Sequence, residues 1–221
     1  ATLISSWSNN QSEKSSAYNE GFLYDEFLYY SLSSGTNPSV SSSYTQKKKL
    51  SFAGRINYAY KGKYLLTVSS RWDGASQLAN QWDVFPAAAV AWRISDEKFM
   101  EGTRGWLDNL KLRVGYGVSG NANIAAYVTK TEVTSTGLDA INLGSGQLTT
   151  SVLSKAMGNP NLGWEKSYNV NVGLDFSLFN NRIDASLEWY DTDTKDVLYK
   201  RKMPLTSGGV GAKNAYEMMS N

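Results

Sequence analysis

The sequence predicts an all-β, antiparallel protein, and three observations support that prediction. Apolar and polar residues alternate with a period of two over several stretches of about ten residues. Glycine or asparagine turns separate some of these stretches. No stretch shows the helical period for more than a turn or two. We therefore expect about 8 to 10 strands of about ten residues each.

The clearest strand pair lies between residues 50 and 72. Phe52, Ile56 and Tyr58 alternate with small or polar residues, and successive side chains of a strand point to opposite faces. Gly62 sits in the middle of the turn that follows, where a positive φ costs it nothing. The return arm alternates in the same way, so the hairpin should have one apolar face and one polar face.

Further alternating stretches predict strands over residues 82–94, 110–118, 164–178 and 183–190, the last continuing towards 202. The remaining regions are less regular. We expect a strand over 22–32, with 3–7 as its candidate partner, then a loop over 33–46, and strands over 127–133 and 147–153.

Composition excludes several classes of function. The 221 residues contain no Cys and no His, which removes thiolate chemistry, His-dependent catalysis and His or Cys metal sites. The net charge of +2 gives no overall field that would attract nucleic acid. The longest apolar run, residues 84–92, is about half the ~20 residues of a membrane-spanning helix. If this chain crosses a membrane, it must do so as a β-barrel.

The apolar faces could cover a sandwich core or contact lipid, and three features favour lipid. Connections alternate between short (61–63, 180–181) and long (73–81, 119–163), as in outer-membrane barrels. Charged or polar side chains occur mid-strand on the other face, as a wet lumen allows. Aromatic residues of the apolar face collect near the short turns, where an interfacial girdle belongs. The expected girdle is Tyr58, Tyr60, Tyr64, Trp92 and Phe176, and the expected lumen-facing set includes Arg55, Arg113, Asn171 and Asp175.

Several motifs, in family order, resemble the SusC/RagA-like TonB-dependent outer-membrane transporters. They are GRINYAYKGKYLLTVSSRWDGAS (54–76), FPAAAVAWRISDEKFM (85–100), WLDNLKLRVGYGVSGNANI (106–124), NPNLGWEKSYNVNVGLDFSLFNNRIDASLEWYDTDTKDVL (159–198) and MPLTSGGVGAKNAYEM (203–218). The chain departs from the family pattern at Trp72, where a polar residue is usual, and at Gln77-Leu78, where Arg-Phe is usual.

This resemblance implies a 22-strand transmembrane barrel in the outer membrane of a Gram-negative cell, with a plug domain inside. Such proteins import oligosaccharides or peptides, are powered by TonB and are covered by a SusD-like surface lipoprotein. We find no recognisable plug, TonB-contacting region or closing strand. Residues 1–221 are therefore expected to be part of a single barrel domain, with about 8 to 10 of its strands.

No residue pattern supports a catalytic, cofactor or metal site. The G-x-G-x-x-G run at 115–120 lacks the following helix that nucleotide binding needs. Asp191, Asp193 and Asp196 lack the other residues of a calcium loop. Arg71, Trp72 and Trp82 flank an external loop and are candidate substrate contacts because sugar rings stack on Trp, although packing at the rim is the favoured explanation. The rival function is a secreted all-β carbohydrate-binding module, and an outer-membrane hydrolase is disfavoured by the missing His.

Overall fold

The computed structural model describes residues 1–24, 26, 28–142, 148–204 and 217–221. Their strands are β1 (Thr2–Tyr18), β2 (Ser39–Tyr60), β3 (Tyr64–Ala75), β4 (Trp82–Arg93), β5 (Leu107–Asn121), β6 (Glu132–Asn142), β7 (Leu148–Ala156), β8 (Glu165–Leu178), β9 (Ile183–Lys195), β10 (Tyr199–Lys202) and β11 (Glu217–Ser220). Three short 3-10 helices span Leu28–Ser34, Ile94–Asp96 and Lys98–Thr103. Within the described ranges, no helix is long and apolar enough to cross a bilayer.

Seven of these strands form one antiparallel sheet in the order β1-β2-β3-β4-β5-β8-β9. Strands β6 and β7 pair with each other, as do β10 and β11. The predicted all-β, antiparallel architecture is confirmed. The described residues form eleven strands rather than 8 to 10, because the short strands β10 and β11 carry too few residues to show a period.

The first 50 residues differ from the prediction. Residues 28–34 are a 3-10 helix, so the predicted strand over 22–32 is wrong. Strand β1 instead pairs with β2 along its whole length, from Thr2 opposite Arg55 to Tyr18 opposite Ser39. The predicted loop over 33–46 therefore contains the start of β2. Both strands are solvent-exposed on both faces at this end, so no hydrophobic alternation marks them.

Two later boundaries also differ. The predicted strand over 127–133 is wrong, because most of this stretch is a turn in which Tyr127 has a φ of 67°. Strand β9 ends at Lys195, and Asp196 adopts a φ of 54° before β10 begins. The predicted strand over 147–153 agrees with β7, apart from residue 147, which lies outside the described residues.

The connections divide between two ends of the sheet. Residues 61–63, 94–106 and 179–182 join strands at one end, which we call the short-turn end. Residues 19–38, 76–81 and 122–164 join strands at the other, the long-loop end. The connection 94–106 is longer than the two turns beside it because it contains two of the 3-10 helices.

A small hydrophobic core lies at the long-loop end, where loops fold against one face of the sheet. Its members are Ala75, Leu78, Phe85, Ala122, Ile124, Leu162 and Trp164, all buried. Phe85 meets Trp164 edge-on with ring centroids 5.2 Å apart. In the described part of the chain no second sheet covers the opposite face, so the central strands expose their apolar side chains.

The seam between β4 and β5 is the shortest in the sheet. Strand β4 pairs with β5 only over Ala87–Arg93 opposite Lys111–Gly117, whereas β5 pairs with β8 over nearly all its length. Beyond the paired stretch, the ring of Phe85 lies where a Cβ on Gly120 would sit. An ion pair of 2.6 Å between Lys166 Nζ and Asp83 Oδ2 also spans this opening.

Candidate functional surfaces

The strand register places the apolar residues of all central strands on one side of the sheet. Val68 lies opposite Ile56 on one neighbour and Ala88 on the other. In the adjacent row, two positions nearer the short-turn end, Val90, Val114, Val172 and Trp189 lie opposite one another on successive strands. Many of these side chains are exposed: Val90 is 51% and Leu187 is 63% accessible. A continuous exposed apolar surface of this extent requires an apolar medium or a partner.

Near the short-turn end this apolar face carries a belt of aromatic rings. The Tyr60 and Tyr64 rings lie 6.3 Å apart, and Tyr64 stacks on Trp92 at 6.3 Å with planes 11° apart. Phe99 extends the belt at 6.4 Å from Trp92. Tyr58 and Phe176, the other residues predicted for this girdle, lie on the same face, Phe176 opposite Leu110. We call these residues the short-turn belt.

Glu97 holds the short-turn belt in place from the 94–106 connection. Its carboxylate accepts hydrogen bonds from Tyr64 Oη (2.8 Å), Lys63 Nζ (3.1 Å) and Trp92 Nε1 (3.3 Å). These bonds, from Tyr64 first and then Lys63 and Trp92, hold the pKa of Glu97 below its ordinary value. One carboxylate thus ties the β2–β3 turn to strand β4.

A second aromatic cluster, the long-loop belt, lies on the same apolar face. Trp72 and Trp82 have ring centroids 5.0 Å apart, and Phe52 lies 6.3 Å from Trp72 and 6.5 Å from Trp82. Gly74 allows this packing, because a Cβ there would lie 2.8 Å from the Trp82 ring. Trp72 lies eight residues after Tyr64, which is about 26 Å along the strand. If the strand is tilted by ~40° from the barrel axis, the two rings differ by ~20 Å in height along that axis.

The opposite, polar face carries a network centred on Arg113. Its guanidinium donates two bonds of 2.8 Å to the Asp175 carboxylate and a third of 2.8 Å to Glu188. Ser186 Oγ donates to Asp175 at 3.0 Å. The guanidinium lies over Gly173, whose Cβ would be 2.9 Å from Arg113 Nη2. The network connects three neighbouring strands, β5, β8 and β9.

The other residues predicted to face the lumen lie on this same side. Asn171 is opposite Gly115 on β5, two positions along β8 from Gly173. Arg55 occupies the polar side of β2, opposite Ser69. The four residues predicted from the alternation to face the lumen therefore share one side of the sheet.

The three candidate substrate contacts do not lie together. Trp72 and Trp82 belong to the apolar long-loop belt, whereas Arg71 projects from the polar face. There Arg71 Nε donates to Asp73 Oδ1 at 2.6 Å and Nη2 to Ser51 Oγ at 3.3 Å. Arg71 also lines a cavity of about 220 Å³ at the long-loop end. Only Arg71 of the three faces the space that the concave side of a barrel would enclose.

Sequence reasoning missed the role of Glu97 and of Phe85. Glu97 lies in a charged connection without a periodic pattern, and its partners come from two other elements. Phe85 is a large residue among small ones on the polar side of β4, and that departure from the pattern was the available signal. The described residues contain no group of three or more His, Cys, Asp or Glu that could hold a metal ion.

The sheet with one apolar, belted face and one polar face defines a membrane β-barrel wall. The family model for "TonB dependent receptor-like, beta-barrel" matches residues 4–217. The chain is 34% identical over 206 residues (92% of this chain) to TonB-dependent receptor P3 of Formosa agariphila, and 35% identical over 166 residues (73%) to TonB-dependent receptor SusC of Bacteroides thetaiotaomicron. It also superposes on a chain of the solved RagAB peptide transporter with a TM-score of 0.71 and 26% identity, covering 99% of this chain.

The chain therefore belongs to the TonB-dependent receptor β-barrel family, whose members are outer-membrane transporters rather than enzymes. It spans 20% of the length of receptor P3, 16% of SusC and 24% of the RagAB chain. The family resemblance read from the sequence is confirmed.

Proposed function

We propose that residues 1–221 form part of the wall of a single transmembrane barrel in an outer-membrane importer. The importer takes up oligosaccharides or peptides, works with a SusD-like surface lipoprotein and is energised by TonB. The short-turn end faces the periplasm and the long-loop end faces the exterior. SusC and the RagAB peptide transporter are the similar proteins that support this proposal.

The observation that carries the proposal is the pair of aromatic belts on one face of the sheet. Trp82 and Trp92 mark the two belts on β4, ten residues or about 33 Å apart, which is ~25 Å of height at the usual barrel tilt. The apolar band of outer-membrane barrels has a height of about 25 Å. A soluble carbohydrate-binding module would cover such a face with a second sheet, and the described residues provide none.

Site-directed labelling tests the orientation of the wall. The 221 residues contain no Cys, so once any Cys elsewhere in the full-length receptor is replaced, a single introduced cysteine reports on one position. We would place a fluorophore at Val90→Cys on the apolar face, or at the adjacent Ala89→Cys on the polar face, of the full-length receptor in lipid vesicles. Brominated lipids should quench the label at position 90 and leave position 89 nearly unchanged. Equal quenching at both positions would refute the membrane orientation.

Uptake tests the transport part of the proposal. Deleting the receptor gene should abolish accumulation of its oligosaccharide or peptide cargo by whole cells, and deleting the partner lipoprotein gene should reduce it. Restoring the intact receptor should restore uptake. Unchanged accumulation of every oligosaccharide and peptide offered to the deletion strain would contradict an import function.

A further inference from the structure

Three cations lie along the polar face in the long-loop half of strands β2 and β3. Lys49 and Arg55 occupy odd positions of β2, which all face this side. Arg71 on β3 lies opposite Ala53, between those two positions in height. Asp73, opposite Ser51, is the carboxylate placed among them. We call Lys49, Arg55 and Arg71 the cation track.

The described residues leave the cation track exposed. Lys49 and Arg55 are exposed, and neither side chain forms a hydrogen bond or ion pair with another described residue. The side chain of Arg71 remains 58% exposed although it contacts Asp73. Arg113 differs, because two carboxylates already satisfy its guanidinium. The track therefore keeps unneutralised positive charge on the wall, whereas the Arg113 network does not.

The cavity beside the track is polar. Besides Lys49 and Arg71, its lining includes Ser51, Asp73, Asn121 and Asn123. Trp164 also borders it, but that side chain is only 7% exposed and its indole N–H is used by the Gln81 carbonyl. Hydroxyl, amide and carboxylate groups suit the hydroxyl-rich surface of a sugar chain, whereas the cavity has no open apolar subsite for a peptide side chain.

The three cations of the track lie in the long-loop half of β2 and β3, which the proposed orientation turns towards the cell exterior. Nearer the short-turn end, the polar-face side chains of these strands and of β4 are uncharged at Asn57, Thr67, Ala89 and Ala91. Charge returns on this face at the end of β4, where Arg93 lies opposite Lys111. Cations in the outer half would raise the local concentration of anions arriving from outside.

We propose that the cation track binds the carboxylate or sulfate groups of an acidic oligosaccharide cargo. Lys49 and Arg71 would bind one anionic group at the polar cavity, and Arg55 would bind the next one deeper in the barrel. The neighbouring hydroxyl and amide groups would bind the sugar hydroxyls. This inference depends on the proposed import function and narrows its cargo to an anionic sugar chain.

The test compares the full-length receptor–lipoprotein complex with a variant carrying Lys49→Gln, Arg55→Gln and Arg71→Gln. A matched control variant loses three positive charges at positions outside the track, through Lys48→Gln, Lys61→Gln and Lys98→Gln. Each complex is offered one panel of carboxylated, sulfated and neutral oligosaccharides and of acidic and neutral peptides. Retained ligands are identified by mass spectrometry, and the affinity of each is then measured by titration calorimetry.

The wild-type complex should retain acidic oligosaccharides, and the track variant should bind them about 10- to 100-fold more weakly while the control binds normally. Raising the salt concentration should weaken wild-type binding and reduce the difference in affinity between the wild type and the track variant. Arg55→Gln alone, at an exposed position without partners, should give a smaller loss without affecting barrel folding.

Three results would overturn the inference. The retained ligands could be neutral sugars, they could be peptides, or the track variant could bind like the control. A wild-type complex that retains no sugar or peptide at all would instead contradict the import proposal, and the cargo inference would fail with it.

Discussion

Val68 lies where an arginine should be most harmful to the membrane-spanning wall. It sits midway along β3 between Tyr64 of the short-turn belt and Trp72 of the long-loop belt. Its side chain is 44% exposed on the apolar face, between Ile56 and Ala88 on the neighbouring strands. Arginine on the lipid face near the bilayer midplane costs about 2–4 kcal/mol. Val68→Arg should therefore lower the folded-to-unfolded ratio by about 30- to 1,000-fold.

Thr67 provides the matched control at the same depth. It precedes Val68, faces the polar side and donates a 3.0 Å hydrogen bond to Asn57 Oδ1. Thr67→Arg places the same guanidinium in water, so only this exposed hydrogen bond is lost, which should cost about 0.5–1.5 kcal/mol. The two variants introduce the same side chain at adjacent positions of β3, one on the apolar face and one on the polar face.

The assay is urea-dependent folding of the full-length receptor into lipid vesicles, followed by heat-modifiable gel mobility. The midpoint for Val68→Arg should fall well below that of Thr67→Arg, which should stay close to wild type. Similar midpoints for the two variants would refute the assignment of faces, and a larger loss for Thr67→Arg would reverse it.

Three further predictions concern other contacts. Arg113→Lys keeps the charge but loses the planar guanidinium that bonds Asp175 and Glu188 together, so the urea midpoint should fall by the equivalent of about 1 kcal/mol. An unchanged midpoint would contradict a structural role for the Arg113 network. Glu97→Gln should lower stability at neutral pH. Because the pKa of Glu97 is lowered in the folded state, that loss should be constant above about pH 4.5 and should disappear as pH falls through the lowered pKa; a loss that persists at acid pH would count against this. Gly120→Ala places a methyl group against the ring of Phe85 and should cost about 1–3 kcal/mol, whereas Gly115→Ala, with 3.9 Å to its nearest neighbour, should be nearly neutral by the same urea titration.

Membrane-spanning strands could be predicted from the sequence because their two faces meet different media. Residues 50–72 alternate at most positions, and the structure pairs them as predicted around the 61–63 turn. The same holds for β8 and β9, where lipid and water impose opposite requirements on successive residues. The period of two is thus a direct consequence of the environment of each face.

Strand β1 could not be predicted in the same way. From about Ser8 to Tyr18 it pairs with the outer part of β2, and both of its faces are exposed to solvent. Serine, asparagine and glutamate therefore satisfy either face, and the sequence resembles a loop. Backbone hydrogen bonds to β2 hold this strand in place, and these bonds do not depend on which side chains are present.

Contacts between distant elements were also beyond sequence reasoning. The Glu97 site combines residues from the β2–β3 turn, β4 and the 94–106 connection, and nothing in their separate sequences indicates a meeting. Trp72 and Trp82 invited assignment to a sugar site because aromatic rings stack on sugars. Only the register, which puts them on the side opposite Arg71, shows that their face is the apolar one.

The short seam between β4 and β5 sets where this wall is mechanically weakest. Among the strand pairs of the seven-stranded sheet, we expect these two strands to separate first under force applied across the sheet, because fewer backbone hydrogen bonds join them. The Phe85 ring and the Lys166–Asp83 ion pair join the two sides of this unpaired stretch at the long-loop end. Amide hydrogens beside this unpaired stretch should accordingly exchange with solvent sooner than those in the fully paired β5–β8 seam.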